Sequence, residues 1–199
     1  DLIQAAGVVP LQLAAVDVDY AAGGAHKWLM GVEGAGYLYV HPARIEALHP
    51  AVAGWLSHED PVDFLLPGGG PLDYQRPLRS RADMVEAGSQ AVLSLSALGA
   101  AVSLLQQLGV RAIYDHVQRY HDALEPELLS RGLRSARSLH AEQRSGILSV
   151  SPAPGGPDLR KLAAALSAAG LACSTPDGWL RFAPHWPNTL AEVPLVLAA

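Results

Sequence analysis

Cysteine occurs once in the 199-residue chain, at Cys173, which excludes an intrachain disulfide framework and fits a reducing cytoplasm. Basic residues are outnumbered, 14 Lys and Arg against 19 Asp and Glu, and they form no stripe, so nucleic acid is not an expected partner. No apolar run is long enough to cross a bilayer, and no basic leader precedes an apolar segment, so no membrane partner is expected. The eight histidines are scattered without zinc-like spacing, so no metal is expected. No internal repeat is visible. What remains is a chain half hydrophobic, rich in Ala and Leu, with a net charge of -5. Its length allows a sizeable core and one or two domains.

Two short apolar runs, residues 13–19 and 36–40, are bounded by turn residues and read as buried strands. Pro42 and the segment after it, to Leu48, predict a short helical turn. Residues 50–83, rich in Pro, Gly and charge and including Pro67-Gly68-Gly69-Gly70-Pro71, read as a long irregular excursion. An Ala/Leu/Ser helix is expected over 90–108, apolar nearly all round and hence buried on most faces, ending at Gly109. An amphipathic helix follows over 110–131 and stops at Gly132. A smaller α+β part then takes a strand at 145–151 and a helix at 158–169 ending at Gly170. Strands at 171–174 and 179–183 flank the turn Pro176-Asp177-Gly178. Thr189 with Glu192 three residues on has the pattern of a capping box, which Pro194 in the next turn disfavours.

The segment Gly23-Gly24-Ala25-His26-Lys27-Trp28-Leu29-Met30-Gly31, followed by Gly34-Ala35-Gly36-Tyr37-Leu38-Tyr39-Val40, sets one lysine between a glycine-rich turn and an apolar strand. An amine held there, out of bulk water, loses hydration and becomes a usable carbonyl nucleophile. With Asp1-Leu2-Ile3-Gln4, Gly54-Trp55-Leu56-Ser57, Glu86-Ala87-Gly88-Ser89 and Leu180-Arg181-Phe182-Ala183-Pro184-His185-Trp186-Pro187-Asn188-Thr189, this ordered series resembles the class V aminotransferase family of pyridoxal-phosphate enzymes. That family includes cysteine desulfurases, isopenicillin-epimerase-like proteins and kynureninases. The resemblance implies an α/β chain of fold type I, aspartate aminotransferase-like, with an incomplete large-domain sheet and a C-terminal α+β small domain. Residues 1–115 would be the C-terminal part of the cofactor-binding large domain and 116–199 the small domain. The chain opens on Asp1 with no upstream βαβ run and reads as the C-terminal portion of a longer enzyme. The glycine/serine-rich phosphate loop and the ring that stacks on the cofactor would precede it.

The resemblance assigns roles residue by residue. Lys27 forms the internal aldimine with pyridoxal phosphate and then moves the α-proton; otherwise it is a surface lysine at a strand end. His26 lies near the phosphate or the aldimine. Asp1 faces the pyridine nitrogen and keeps it protonated, which makes the ring an electron sink; otherwise it is a loose terminus. Gln4 donates to the ring oxygen, or is an ordinary polar residue. At Gly24 relatives often carry a hydroxyl, and here backbone amides of the Gly23-Gly24 turn are left to bind phosphate. Ser89 matches a position that reaches the neighbouring subunit's phosphate, implying a homodimer with shared sites; alternatively it caps the helix starting near residue 90. Arg181 binds the substrate's α-carboxylate through a planar guanidinium, or forms a structural salt bridge. Another arginine of some relatives is replaced at Thr175 or Pro176, leaving side-chain specificity open. His185 and Trp186 read as a packed turn, and Trp55, Ser57 and His58 as entrance or packing residues. A desulfurase needs an exposed activated thiol on a mobile loop, whereas Cys173 reads as buried in a strand with only seven residues between it and Arg181. The expected function is thus transamination or related Cα/Cβ chemistry on an amino acid, with this chain alone inactive. A non-catalytic folding and dimerisation unit is the alternative.

Overall fold

A β-hairpin organises the first part of the molecule. In the computed structural model, which describes residues 1–66, 73 and 75–199, β1 (Tyr20–Gly24) pairs antiparallel with β2 (Gly36–Val40). The register runs from Tyr20 opposite Val40 to Gly24 opposite Gly36. The Pro67–Pro71 part of the expected irregular excursion lies outside the described residues. The strand expected at 36–40 forms, but the one expected at 13–19 does not. Leu13–Ala15 is a 3-10 turn, the segment is largely exposed, and Asp17 takes a left-handed conformation at φ 49°. Asp tolerates that region better than most residues, and the bend delays pairing until Tyr20. Leu2 N–H donates to Ala22 C=O at 2.8 Å, which lays the first residues along β1.

Beyond the hairpin, His41 caps the expected turn Pro42–Ala47, its Nδ1 accepting from Ala43 N–H. A 3-10 turn Trp55–Ser57, helix α1 (Pro61–Leu65) and a 3-10 turn Ala82–Val85 lead to α2 (Val92–Leu108). Helix α3 (Val110–Ser130) follows Gly109, whose φ of 81° makes the break between the two. Burial of α2 differs from expectation: only Leu105 is buried, and Leu93 is 87% exposed. Apolar residues all round a helix state what would favour burial, not whether the chain supplies a surface to meet them.

The rest of the chain builds a three-stranded antiparallel sheet, β3 (Leu133–Ser135), β4 (Leu148–Pro152) and β5 (Leu180–Phe182), with β4 central. Its inner face, Leu148, Val150, Leu180 and Phe182, packs with Tyr120, Leu124 and Leu128 of α3, which recur every four residues on one helix face. Helices α4 (Leu159–Ala168) and α5 (Val193–Ala198) add Leu166, Val193 and Val196 to this core. Asp158 caps α4 by accepting from Arg160 N–H at 2.8 Å and Lys161 N–H at 3.2 Å. Thr189 N–H donates to the Glu192 carboxylate at 3.1 Å, and Pro194 sits in the first turn of α5, where its missing N–H has no intrahelical partner to lose. Residues 171–174 contribute a single bridge, Ser174 to Arg181, instead of a strand.

Two compact units result: Asp1–Gln4 with Leu11–Ser103, and Ala5–Pro10 with Leu104–Ala199. The partition at 103/104 lies within α2, whereas 115/116 falls inside α3. No single described helix is long and apolar enough to cross a membrane.

Candidate active site

The loop carrying Lys27 is closed by backbone bonds. Ala25 N–H donates to Ala35 C=O (3.0 Å), Gly31 N–H to Ala25 C=O (2.8 Å) and Met30 N–H to Lys27 C=O (2.8 Å). A Cβ on Gly31 would come within 2.9 Å of the Ala25 Cβ, so only glycine lets the loop close this tightly. Ala25 and Trp28 anchor it inward, and the Trp28 indole N–H donates to Gln4 Oε1 at 2.8 Å. With those two residues turned in, His26 and Lys27 fall on the outside and are exposed. The dry pocket expected around Lys27 is therefore not formed by these residues.

The Leu2–Ala22 bond and the Gln4–Trp28 bond bring the segment bearing Asp1 and Gln4 to the strand and loop bearing Gly24, His26 and Lys27. Asp1 Oδ1 accepts from Ile3 N–H at 2.8 Å. Gln4, with its oxygen engaged by Trp28, keeps its amide NH2 as a donor. Gly23 and Gly24 form the end of β1 and not a turn. Asp19 and Ala25 bond to the β2 side, so by antiparallel alternation the Gly24 N–H points to the other edge, the one along which Leu2 bonds Ala22. A Cβ at Gly24 would meet the His26 ring at 2.8 Å. The missing side chain houses the imidazole, a relation invisible in the sequence. A carboxylate, an amide donor, an imidazole and an amine on one unit are part of the donor set that pyridoxal phosphate requires, so the residues present fit that part of the cofactor's needs.

Ser89 is exposed and does not cap α2, which begins three residues later at Val92. Its motif meets Gly54-Trp55-Leu56-Ser57: Leu56 N–H donates to Ala87 C=O at 3.3 Å, and Ser57 Oγ accepts from Gly54 N–H at 3.1 Å. His58 is buried, its Nδ1 2.9 Å from Arg76 C=O.

Arg181, in the second unit, lies on β5 opposite Ser149 of β4, on the face of the sheet away from the core. Among the described residues it makes no ion pair, so the structural salt bridge is not what holds it. It lines a cavity of about 290 Å³ together with Arg137 and Arg144, two arginines that sequence reasoning missed because no motif frames them. His185 and Trp186 form a packed turn: His185 N–H donates to Asn188 Oδ1 (2.9 Å) and Trp186 N–H to His185 Nδ1 (2.7 Å). Cys173 is half-buried, and burial pushes its thiol pKa up. Among the described residues no group of three or more His, Cys, Asp or Glu is placed to hold a metal ion.

Residues 1–179 match the family model for aminotransferase class V. An uncharacterized aminotransferase, YcbU, of Bacillus subtilis is 28% identical over 193 residues, covering 97% of this chain and 48% of its own. Isopenicillin N epimerase of Streptomyces clavuligerus is 37% identical over 71 residues, 36% of this chain and 16% of its own. The apo structure of cysteine desulfurase from Thermococcus onnurineus superposes with a TM-score of 0.82 at 21% identity, over 98% of this chain and 49% of that one. The superposition shows the fold, that of fold-type I pyridoxal-phosphate enzymes. The chain thus spans half or less of the length of these relatives. With a model matched along nine-tenths of its residues and a fold to agree, the chain belongs to the class V aminotransferase family.

Proposed function

We propose that the protein acts on an amino acid with pyridoxal phosphate held at Lys27, in transamination or related chemistry at Cα or Cβ. The family is one of pyridoxal-phosphate enzymes acting on amino acids. When bound, the cofactor supplies an aldehyde for the amine and a ring that accepts electrons from Cα. Lys27 would hold that aldehyde, and its Nζ would carry the α-proton. Asp1 keeps the ring nitrogen protonated, Gln4 donates its amide to the ring oxygen, and the Gly24 amide and His26 face the phosphate. Arg181 grips the α-carboxylate with two parallel hydrogen bonds. Ser89 serves the neighbouring subunit of a homodimer with shared sites, a role that its exposure supports. A single, non-disulfide cysteine suits a cytoplasmic protein.

The observation that carries this reading is the Gln4–Trp28 bond, which ties the acid-bearing segment to the lysine loop. Sulfur transfer is disfavoured because Cys173, half-buried with its pKa raised, is the reverse of an activated thiolate. Epimerase-like and kynureninase-like branches stay open. The exposure of Lys27 favours a second reading, a non-catalytic folding and dimerisation unit.

The chain has two lysines, Lys27 and Lys161, both exposed, so the second is a built-in control. Purified chain is mixed with pyridoxal phosphate, reduced with borohydride and digested for mass spectrometry. The adduct should concentrate at Lys27 and vanish in Lys27→Ala. Equal labelling of the two lysines favours the non-catalytic reading.

A further inference from the structure

The cavity beside Arg181 has a charged lining that is entirely cationic: Arg137, Arg144 and Arg181. Its volume, about 290 Å³, is near the lower end of the ~300–1,000 Å³ range of small-ligand sites. Alternation along the strands sets Ser149 and Arg181 on this face, while Leu148, Val150, Leu180 and Phe182 fill the core on the other.

The three guanidiniums are unequally committed. Arg137 is 4% exposed and held by Asp122 at 2.7 Å and Glu125 at 2.8 Å, with Gln118 Oε1 at 2.9 Å. Its Nε is buried and has no partner among the described residues. Arg144 donates Nε to Ser138 C=O at 3.0 Å, and its NH1 stands 3.8 Å from an Asp122 carboxylate already taken by Arg137. Arg181 makes no ion pair among the described residues. Arg137 and Arg144 thus draw on two carboxylates and Arg181 on none, and the two least satisfied cations, Arg144 and Arg181, line one concavity.

We infer that this cavity takes a dicarboxylate, an acidic amino acid or its 2-oxo acid, with the α-carboxylate on Arg181 and the distal carboxylate on Arg144. The assignment rests on the proposed role of Arg181 and narrows the substrate class. The Ser149 hydroxyl, across the ladder from Arg181, adds a donor to the first carboxylate. Arg137 is the positioning residue: it occupies Asp122 and so leaves the Arg144 terminus for ligand. A planar fork at each end suits a carboxylate at each end.

The test titrates the chain, without pyridoxal phosphate and at low ionic strength, with glutarate, butyrate and sulfate, reading amide shifts by NMR. Low salt matters because partly exposed charges are screened at higher ionic strength. Glutarate should bind at least about tenfold tighter than butyrate, a difference of about 1.4 kcal/mol. Arg144→Gln should bring that ratio near one with butyrate unchanged, and Arg181→Gln should weaken both. Equal binding of glutarate and butyrate by the wild type, sulfate matching glutarate, or a preference that survives Arg144→Gln overturns the proposal. The wild-type ratio needs no substitution, so an unfolded variant does not remove the test. Intact preference without Lys27 labelling sinks only the cofactor reading, and labelling without preference sinks only this one.

Discussion

Trp28 decides where its neighbours point. Its ring is buried and its indole N–H is satisfied by Gln4, so the two residues before it lie outside the loop. Lys27 and His26 were readable as chemical residues, but their exposure follows from an anchor 24 positions away in sequence. His121 is a second case, one that no motif announces. It is fully buried, its Nε2 donates to Gly146 C=O at 3.0 Å, and its Nδ1 is buried with no partner among the described residues. Burial, helped by the positive Arg137, lowers its pKa from 6.5 to about 4, against an upward pull from the Gly146 bond, Glu125 and Asp122. Between those two values the unfolded chain binds the extra proton. The group's effect is therefore nil above about pH 6.5, and stability falls as pH drops towards 4, by roughly 3 kcal/mol at most. Urea midpoints from pH 7 to 4 should show this decline. His121→Phe, though weaker at neutral pH for want of the Gly146 bond, should show a shallower one.

At the scale of elements, local signals worked where one stretch of chain contained its own cause. The helices at 110–131 and 158–169 form within one or two residues of expectation, because a glycine stop or an aspartate cap lies inside the segment. Strand 36–40 also forms in place. Residues 13–19 and 171–174 do not form strands, because an apolar run states a preference and a partner edge must also be present. Gly54 shows the opposite limit, a requirement imposed wholly by a distant segment. A Cβ there would lie 1.9 Å from the Ala87 carbonyl oxygen, backbone that cannot swing aside, whereas a Cβ at Gly88 meets nothing within 4 Å. Gly54→Ala should cost about 2–4 kcal/mol in chemical denaturation, and Gly88→Ala should stay within about 0.5 kcal/mol. Comparable losses for the two would show that the Gly54–Ala87 approach is not a constraint.

At the scale of the molecule, the chain belongs to the class V aminotransferase family yet spans 48% of its Bacillus relative. Helix α2 is apolar nearly all round, yet only Leu105 is buried. The site likewise has its donors and an exposed lysine. The purified 199-residue chain should therefore show little or no amino-group transfer in a coupled assay with pyridoxal phosphate and a panel of amino acids and 2-oxo acids. Robust turnover would show that these residues suffice.

The residues themselves determined the family and the cofactor type, since an ordered series of short motifs around one lysine survives without three-dimensional information. Only the tertiary structure decided that Lys27 is exposed, that Gly24 makes room for His26, that Gln4 is half spent on Trp28, and that Arg181 shares a cavity with Arg137 and Arg144. Each of those facts depends on atoms far apart in the chain being brought within a few ångströms, and excluded volume and charge act on distance in space, not on position in sequence.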